Sequence, residues 1–219
     1  MANAFDNRAA LDPSLSPNPI LTTPDGKRYQ TGEYHFARVY DTIVIPAGAI
    51  ATNQIKLFQP QGKSPLDTNV NTAAKIPSGQ VLAIERVGVR VLDSRADVLT
   101  LGSDIKKILT AFYLDLKVNK IEIALGPLVH FPPGIGVDGQ TQEAGMSVVH
   151  NGVINDSAPM GLRNPVVIDN TYELIGFIAA PLRDTWDTGV TRPALDAACY
   201  LEVSVQGMQF QAALIDGSR

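Results

Sequence analysis

The chain has 219 residues, a formal net charge of −4 and a sequence pI of about 5.3, so it carries no basic footprint for nucleic acid. Hydrophobic residues make up 45% and charged residues 18%, which excludes a wholly disordered chain and leaves a charge-poor surface that association with other chains would cover. Cys199 is the single cysteine, so no intrachain disulfide forms, and no run of about 18 apolar residues is present to span a membrane.

Residues 1–7 lack the basic-then-apolar pattern of a signal peptide, so synthesis in a reducing cytoplasm is expected. Residues 1–30 carry Pro13, Pro17, Pro19 and Pro24, a density that blocks helix and ladder pairing alike. The expectation is an extended N-terminal arm over 1–30 that leaves the domain and lies on a neighbouring subunit or shell. Phe5, Leu11, Leu15, Ile20 and Leu21 are spaced along it to seat in separate shallow pockets. A single domain is expected over 31–219.

Strand signals then follow in order. Weak ones lie at 39–45 and 54–58, with turns at Pro46-Ala47-Gly48 and Pro77-Ser78-Gly79. Val87, Val89 and Val91 alternate with Arg86, Gly88 and Arg90, the period of two that marks a strand with one buried face. A short helix is expected at 104–112. Ser103 would cap it, Asp104 would favour its N-terminal end, and Ile105, Ile108, Leu109 and Phe112 share one side. Leu114, Leu116 and Val118 form the next alternating set. Ile121, Ile123 and Leu125 continue it on the opposite parity, which a two-residue turn at Asn119-Lys120 explains, with a β-bulge as the competing account. Weaker signals follow at 166–169 and 172–179, and Leu201, Val203 and Val205 close the series. About eight short strands with one helix predict an all-β, jelly-roll-type antiparallel sandwich. Two long connections, 132–164 and 181–196, interrupt it, and the second holds Trp186, the only tryptophan.

The motifs that carry chemistry are incomplete. Gly134-Ile135-Gly136-Val137-Asp138-Gly139 matches a dinucleotide fingerprint, but Pro132-Pro133 precedes it and no helix pattern follows, so it reads as a turn. His35, His130 and His150 have no metal-ligand spacing, and the HxH pair that a cupin-type enzyme needs is absent. Cys199 shares parity with Leu201 and Val203 and reads as a small core residue rather than a nucleophile. Asp184 and Asp187 flank Trp186 and read as solvated loop carboxylates before a glycosidase pair. No catalytic, cofactor or metal residue is assigned, and the chain reads as a non-enzyme. Trp186 is expected at a subunit or shell contact, since an indole is a large apolar area to leave wet.

The order of several phrases carries a resemblance. Ile45-Pro46-Ala47-Gly48 is followed by Asn53-Gln54-Ile55-Lys56-Leu57-Phe58-Gln59, then Ile76-Pro77-Ser78-Gly79-Gln80, Ile84-Glu85-Arg86-Val87-Gly88-Val89-Arg90-Val91 and Gly126-Pro127-Leu128-Val129-His130-Phe131-Pro132-Pro133-Gly134. Over about 40–180 this resembles tailed-phage (bacteriophage) capsid cement or decoration proteins, in which a jelly-roll domain sits as an oligomer outside the major shell. The resemblance implies a virion structural protein on the capsid surface. Its partners would be the major capsid protein and further copies of itself, as a homo-oligomer, with a trimer expected and a dimer allowed. Neither nucleic acid, membrane nor cofactor is expected. The alternatives are a single-jelly-roll major capsid protein, a tail or fibre component, and a cupin-like or carbohydrate-active enzyme.

Overall fold

The computed structural model describes residues 7, 11, 19–50, 54–72, 75–92, 102–131, 138–139, 149–150, 160–180 and 194–216. The strands are β1 (Ile20–Thr22), β2 (Arg28–Ile45), β3 (Gly48–Ala49), β4 (Ile55–Lys56), β5 (Gln80–Leu92), β6 (Tyr113–Val118), β7 (Ile121–Pro127), β8 (Asp138–Gly139), β9 (Val149–His150), β10 (Met160–Ile168), β11 (Leu174–Ala179), β12 (Ala194–Leu195) and β13 (Cys199–Asp216). One helix, α1 (Gly102–Ala111), lies between β5 and β6.

Two sheets hold the core, in the orders β1-β2-β13-β5-β10 and β4-β11-β6-β7. With the edge strand β1 set aside, eight strands remain and their pairing is nested. β6 pairs with β7, β5 with β10, β4 with β11 and β2 with β13, all antiparallel. A long hairpin folded on itself and rolled up gives this arrangement, with successive pairs falling on alternate sheets. That is the jelly roll, and it confirms the fold class expected from the alternating pattern.

The expected inward residues pack between the sheets. Val87, Val89, Val91, Leu114, Leu116, Val118, Leu201, Val203 and Val205 are all buried there, and Cys199 is a fully buried core residue as its parity indicated. Ile105, Ile108, Leu109 and Phe112 turn the apolar side of α1 and its exit onto the same core. The helix starts at Gly102, so Ser103 lies in its first turn rather than before it.

On β5 the inward set changes parity. Leu82 and Ile84 face the inter-sheet core, yet so do Val87 and Val89 farther on. A bulge makes the switch, because Gln206 of β13 pairs with Arg86 while Gly207 pairs with Ile84, leaving Glu85 as the extra residue. The backbones approach closely here. A Cβ on Gly207 would lie 1.8 Å from the Ala83 carbonyl oxygen, so only glycine fits.

The β6–β7 hairpin contains both features weighed from sequence. Val118 pairs with Ile121 across a turn at Asn119-Lys120, in which Asn119 has φ 52°. A register shift then follows, with Lys117 opposite Glu122 and Leu116 opposite Ala124. The bulge corrects the expected pattern, making Ala124 the buried residue while Ile121 and Leu125 are 43% and 53% exposed.

The N-terminal reading needs a larger correction. The expected arm boundary at 30 falls inside β2, and β1 pairs in register with it, Ile20 with Gln30 and Leu21 with Tyr29. Leu21 is fully buried in a second, smaller cluster with Val81, Ala83, Val167 and Phe210, against which Leu11, Tyr29, Met208 and Ala212 pack. This cluster lies on the outer face of the five-stranded sheet. Asn7 ties the segment down. Its Nδ2 donates to the Thr22 carbonyl (3.0 Å) and the Pro165 carbonyl (3.4 Å), and its Oδ1 accepts from the Thr22 N–H (3.1 Å). The described part of the arm therefore covers its own domain. The proline argument holds in one respect, since β1 is an edge strand.

Candidate functional site

Three buried aspartates stand out among the described residues, and each is committed to holding loops in place. Asp41, on the inner face of β2, accepts from the Phe58 N–H (2.7 Å) and from Lys63 Nζ (2.6 and 2.7 Å). The bond to Phe58 helps to hold that residue at φ 58°, a conformation costly for an aromatic residue. Asp104 in α1 accepts from the N–H groups of Asp196 (2.9 Å) and Ala197 (3.2 Å) and from Lys107 Nζ (2.8 Å), fastening the chain before β13 to the helix.

Asp169 closes a clasp between the β1–β2 turn and the β10–β11 turn. It accepts from the Tyr29 hydroxyl, the Thr171 N–H (2.7 Å) and hydroxyl (2.5 Å), and Lys27 Nζ (3.4 Å). Lys27 also pairs with Asp25 (3.0 Å), whose backbone N–H donates to the Tyr172 hydroxyl (3.0 Å). Burial pushes the Asp25 carboxyl up, but bonds from Thr23, Tyr172 and Lys27 outweigh it and hold it at about 2. Burial likewise raises Asp169, and its bonds to Thr171 and Tyr29 with the Lys27 charge carry the net shift downward. Tyr29 is pushed well above the usual phenol range by burial and by Asp169. These groups form a structural clasp. Little in the sequence marked them, because an isolated Asp carries no sign of its own burial.

An open cleft of about 500 Å³ lies beside β4, lined by Lys56, Gln59, Gln61, Lys63, Asp67 and Tyr200 among others. Its Lys63 is already bonded to Asp41. A smaller hollow of about 170 Å³ is lined by Val39, Asn69, Val70, Ile76 and Gln209 with their neighbours. Neither joins a nucleophile to a base. Among the described residues, no three His, Cys, Asp or Glu side chains are grouped to hold a metal ion. His35 is exposed on β2 and His130 exposed in the 3-10 turn Leu128–His130, so the two do not converge.

The residues singled out as contacts separate. Phe5, Leu15 and Trp186 lie outside the described residues, as do Asp184, Asp187 and most of the glycine motif, of which Asp138–Gly139 forms β8. Leu21 and Leu11 belong to the second cluster. Ile20 is 39% exposed.

Ile20 belongs to the most distinctive surface of the molecule. β2 and β13 have 18 residues each, while β6 and β7 have 6 and 7. At about 3.3 Å per residue the long strands reach up to about 60 Å and the short ones about 20 Å. The five-stranded sheet therefore overhangs its partner. β5 begins at Gln80, opposite Gln211, so beyond it only β1, β2 and β13 continue as a narrow ribbon. On and beside this ribbon Tyr34, Phe36, Leu214 and Ile215 are exposed by 47%, 56%, 55% and 50%. The Tyr34 ring lies 5.5 Å from that of Phe210.

Beside the ribbon, where Phe210 and Met208 still pair with β5, β2 has an edge stretch without a strand partner among the described residues. Farther along β2, the Thr42 N–H donates to the Asp67 carbonyl, and the Asn69 side chain bonds the Tyr40 N–H and the Arg38 carbonyl. Toward the other end β1 occupies residues 28–30. Alternate residues of an antiparallel strand point their backbone groups the same way, so Tyr34 and Phe36 direct theirs outward with Arg38 and Tyr40. Those of Tyr34 and Phe36 meet no partner among the described residues. Sequence reasoning missed this surface because it read only 39–45 of β2 as strand. No protein-family model matches the chain, and no curated protein matches it.

Proposed function

We propose that the chain is a structural, non-enzymatic virion component: a capsid cement or decoration protein that binds the major capsid protein at the capsid surface and works as a homo-oligomer. The observation that carries this reading is the overhanging ribbon. It presents, with the neighbouring stretch of β2, several large apolar side chains and a strand edge that has no partner among the described residues, on a chain with few charges, and such a surface serves association rather than solvation. The nested jelly roll supports it as a scaffold suited to packing many copies side by side, and the order of phrases over 40–180 supports the decoration role.

Addition of the purified chain to phage particles lacking it tests the reading. The expected result is saturable binding at shell-wide stoichiometry, hundreds of copies by quantitative mass spectrometry, and a higher capsid disruption temperature by calorimetry. A few copies per particle would move the chain to the tail or a fibre. Absence of binding would remove the decoration role.

A further inference from the structure

The proposed function requires copies to meet, and the structure offers one surface suited to it. We infer that the free end of the ribbon is the self-association surface, formed by Ile20 of β1, residues 28–36 of β2 and residues 212–215 of β13. Its occupant is a second copy of this chain. The inference rests on the oligomeric reading above and names the contact within it.

The first argument is area. Five large apolar side chains, Ile20, Tyr34, Phe36, Leu214 and Ile215, are between 39% and 56% exposed at this end. At ~200 Å² for a whole aromatic side chain and less for an aliphatic one, they leave on the order of 400 Å² of surface in water. A standard stable interface buries about 800 Å² per partner, of which about 57% is apolar, or roughly 450 Å². Summed over both faces, the exposed area at this end is comparable to the apolar area that one partner brings to a stable dimer.

The second argument is charge. Arg28 and Glu33 are exposed here with opposite signs. A surface with no net charge has no electrostatic preference for a polyanion or an acidic membrane, and two identical copies meet across it without like-charge repulsion.

The third argument is reach. Because the four-stranded sheet stops short, the inner face of the ribbon is exposed at Gln30 and Ala213, while its outer face is partly covered by the Leu21 cluster. On the outer face are Tyr34, Phe36 and Leu214. Cross-strand register sets Ile20 with Ala213 on the other, and Ile215 is the extra residue of a bulge between Leu214 and Asp216. The backbone groups of Tyr34 and Phe36, without a partner among the described residues, add hydrogen-bonding capacity between the two blocked stretches of edge.

The full-length chain serves for the test. Sedimentation equilibrium at concentrations up to tens of micromolar compares it with the double variant Phe36→Glu/Leu214→Glu and the milder Tyr34→Ser/Ile215→Ser. Leu66→Glu, at the 73% exposed Leu66 in another turn, is the control. Circular dichroism and melting temperature establish that each variant folds. The expected result is an oligomer for the native chain and the control, with association weakened at least roughly tenfold in both double variants. A native chain that stays monomeric overturns the inference, as does a folded double variant that associates normally. Cosedimentation of a monomeric native chain with phosphatidylglycerol vesicles, lost in the double variants, would also overturn it and assign the surface to lipid. Particle binding separates the two levels. A chain that binds particles but associates independently of the ribbon defeats only this inference, whereas a chain that binds no particle defeats the decoration reading as well.

Discussion

The two ends of the five-stranded sheet differ on their outer face, and β5 shows how. Toward its C-terminal end, Val87, Val89 and Val91 face the core while Arg86 and Arg90 face outward beside Gln206 and Glu202 of β13. Toward its N-terminal end, Val81, Leu82, Ala83 and Ile84 are all buried, because the outer face there is covered by Leu21 and Leu11. One end has one core and the other has two. The Gly207 bulge lies at the junction and resets the parity between them. The outer face at the first end also buries Thr42, Glu202 and Ser204, so a strand's pattern reports whether a covered face is apolar or polar, and an uninterrupted apolar run marks a place where apolar chain from elsewhere has been laid.

The comparison breaks most severely at the junction. Gly207→Ala would place a Cβ 1.8 Å from the Ala83 carbonyl oxygen and 2.9 Å from its carbon, both backbone atoms. It is expected to cost about 3 kcal/mol or to prevent folding, measured as the urea midpoint. Leu21→Ala tests the second core directly and is expected to lower the stability of the monomer by about 3 kcal/mol. If Leu21 instead anchored the arm on a neighbour, association would fall and the monomer would keep its stability.

The Asp169 clasp holds the covering hairpin in place, and Asp169→Asn is expected to cost about 2 kcal/mol, with faster hydrogen exchange at β1. The same clasp gives a pH dependence. The carboxyls of Asp25 and Asp169 lie below their ordinary value of 3.8 in the folded chain, so their stabilisation is present above that value. It is lost as pH falls from 3.8 toward about 2, the value at which Asp25 titrates. Tyr29 acts in the opposite sense: its raised value means that its contribution is present below pH 10.0 and is lost as alkali titrates it above that. Melting temperature as a function of pH checks both limbs. On the exposed surface of β2 the expected effect on folding is smallest. Phe36→Ser removes a side chain already 56% exposed and should change monomer stability by less than about 0.5 kcal/mol, so any larger effect on particle or self-association is a property of the surface.

Legibility followed how far each segment depends on distant chain. α1 and the alternating sets of β5, β6 and β13 were readable because each buries one face, and a local period of two or 3.6 records that directly. β2 was readable only over 39–45. Residues 33–36 are exposed on both faces, so no alternation exists there to be seen. β7 misled because a single bulge residue moved Ala124 inward and left Leu125 outside. Of the candidate contacts, Ile20 lies at an exposed end and Leu21, its neighbour, at the centre of a core. Their side chains point to opposite sheet faces, and no local pattern assigned either face.

By itself the sequence determined the fold class, the alternating strands, the helix, the β6–β7 turn and the absence of a basic footprint. All of these are set by residues within a few positions of one another. Tertiary structure alone decided that the N-terminal segment covers its own sheet, that Asp41, Asp104 and Asp169 are buried clasps, and that the long strands overrun the short ones. Each of those outcomes depends on partners brought together across the chain, Leu21 with Val167 or Lys27 with Asp169. The free energy of such contacts belongs to the pair and leaves no periodic trace in either segment.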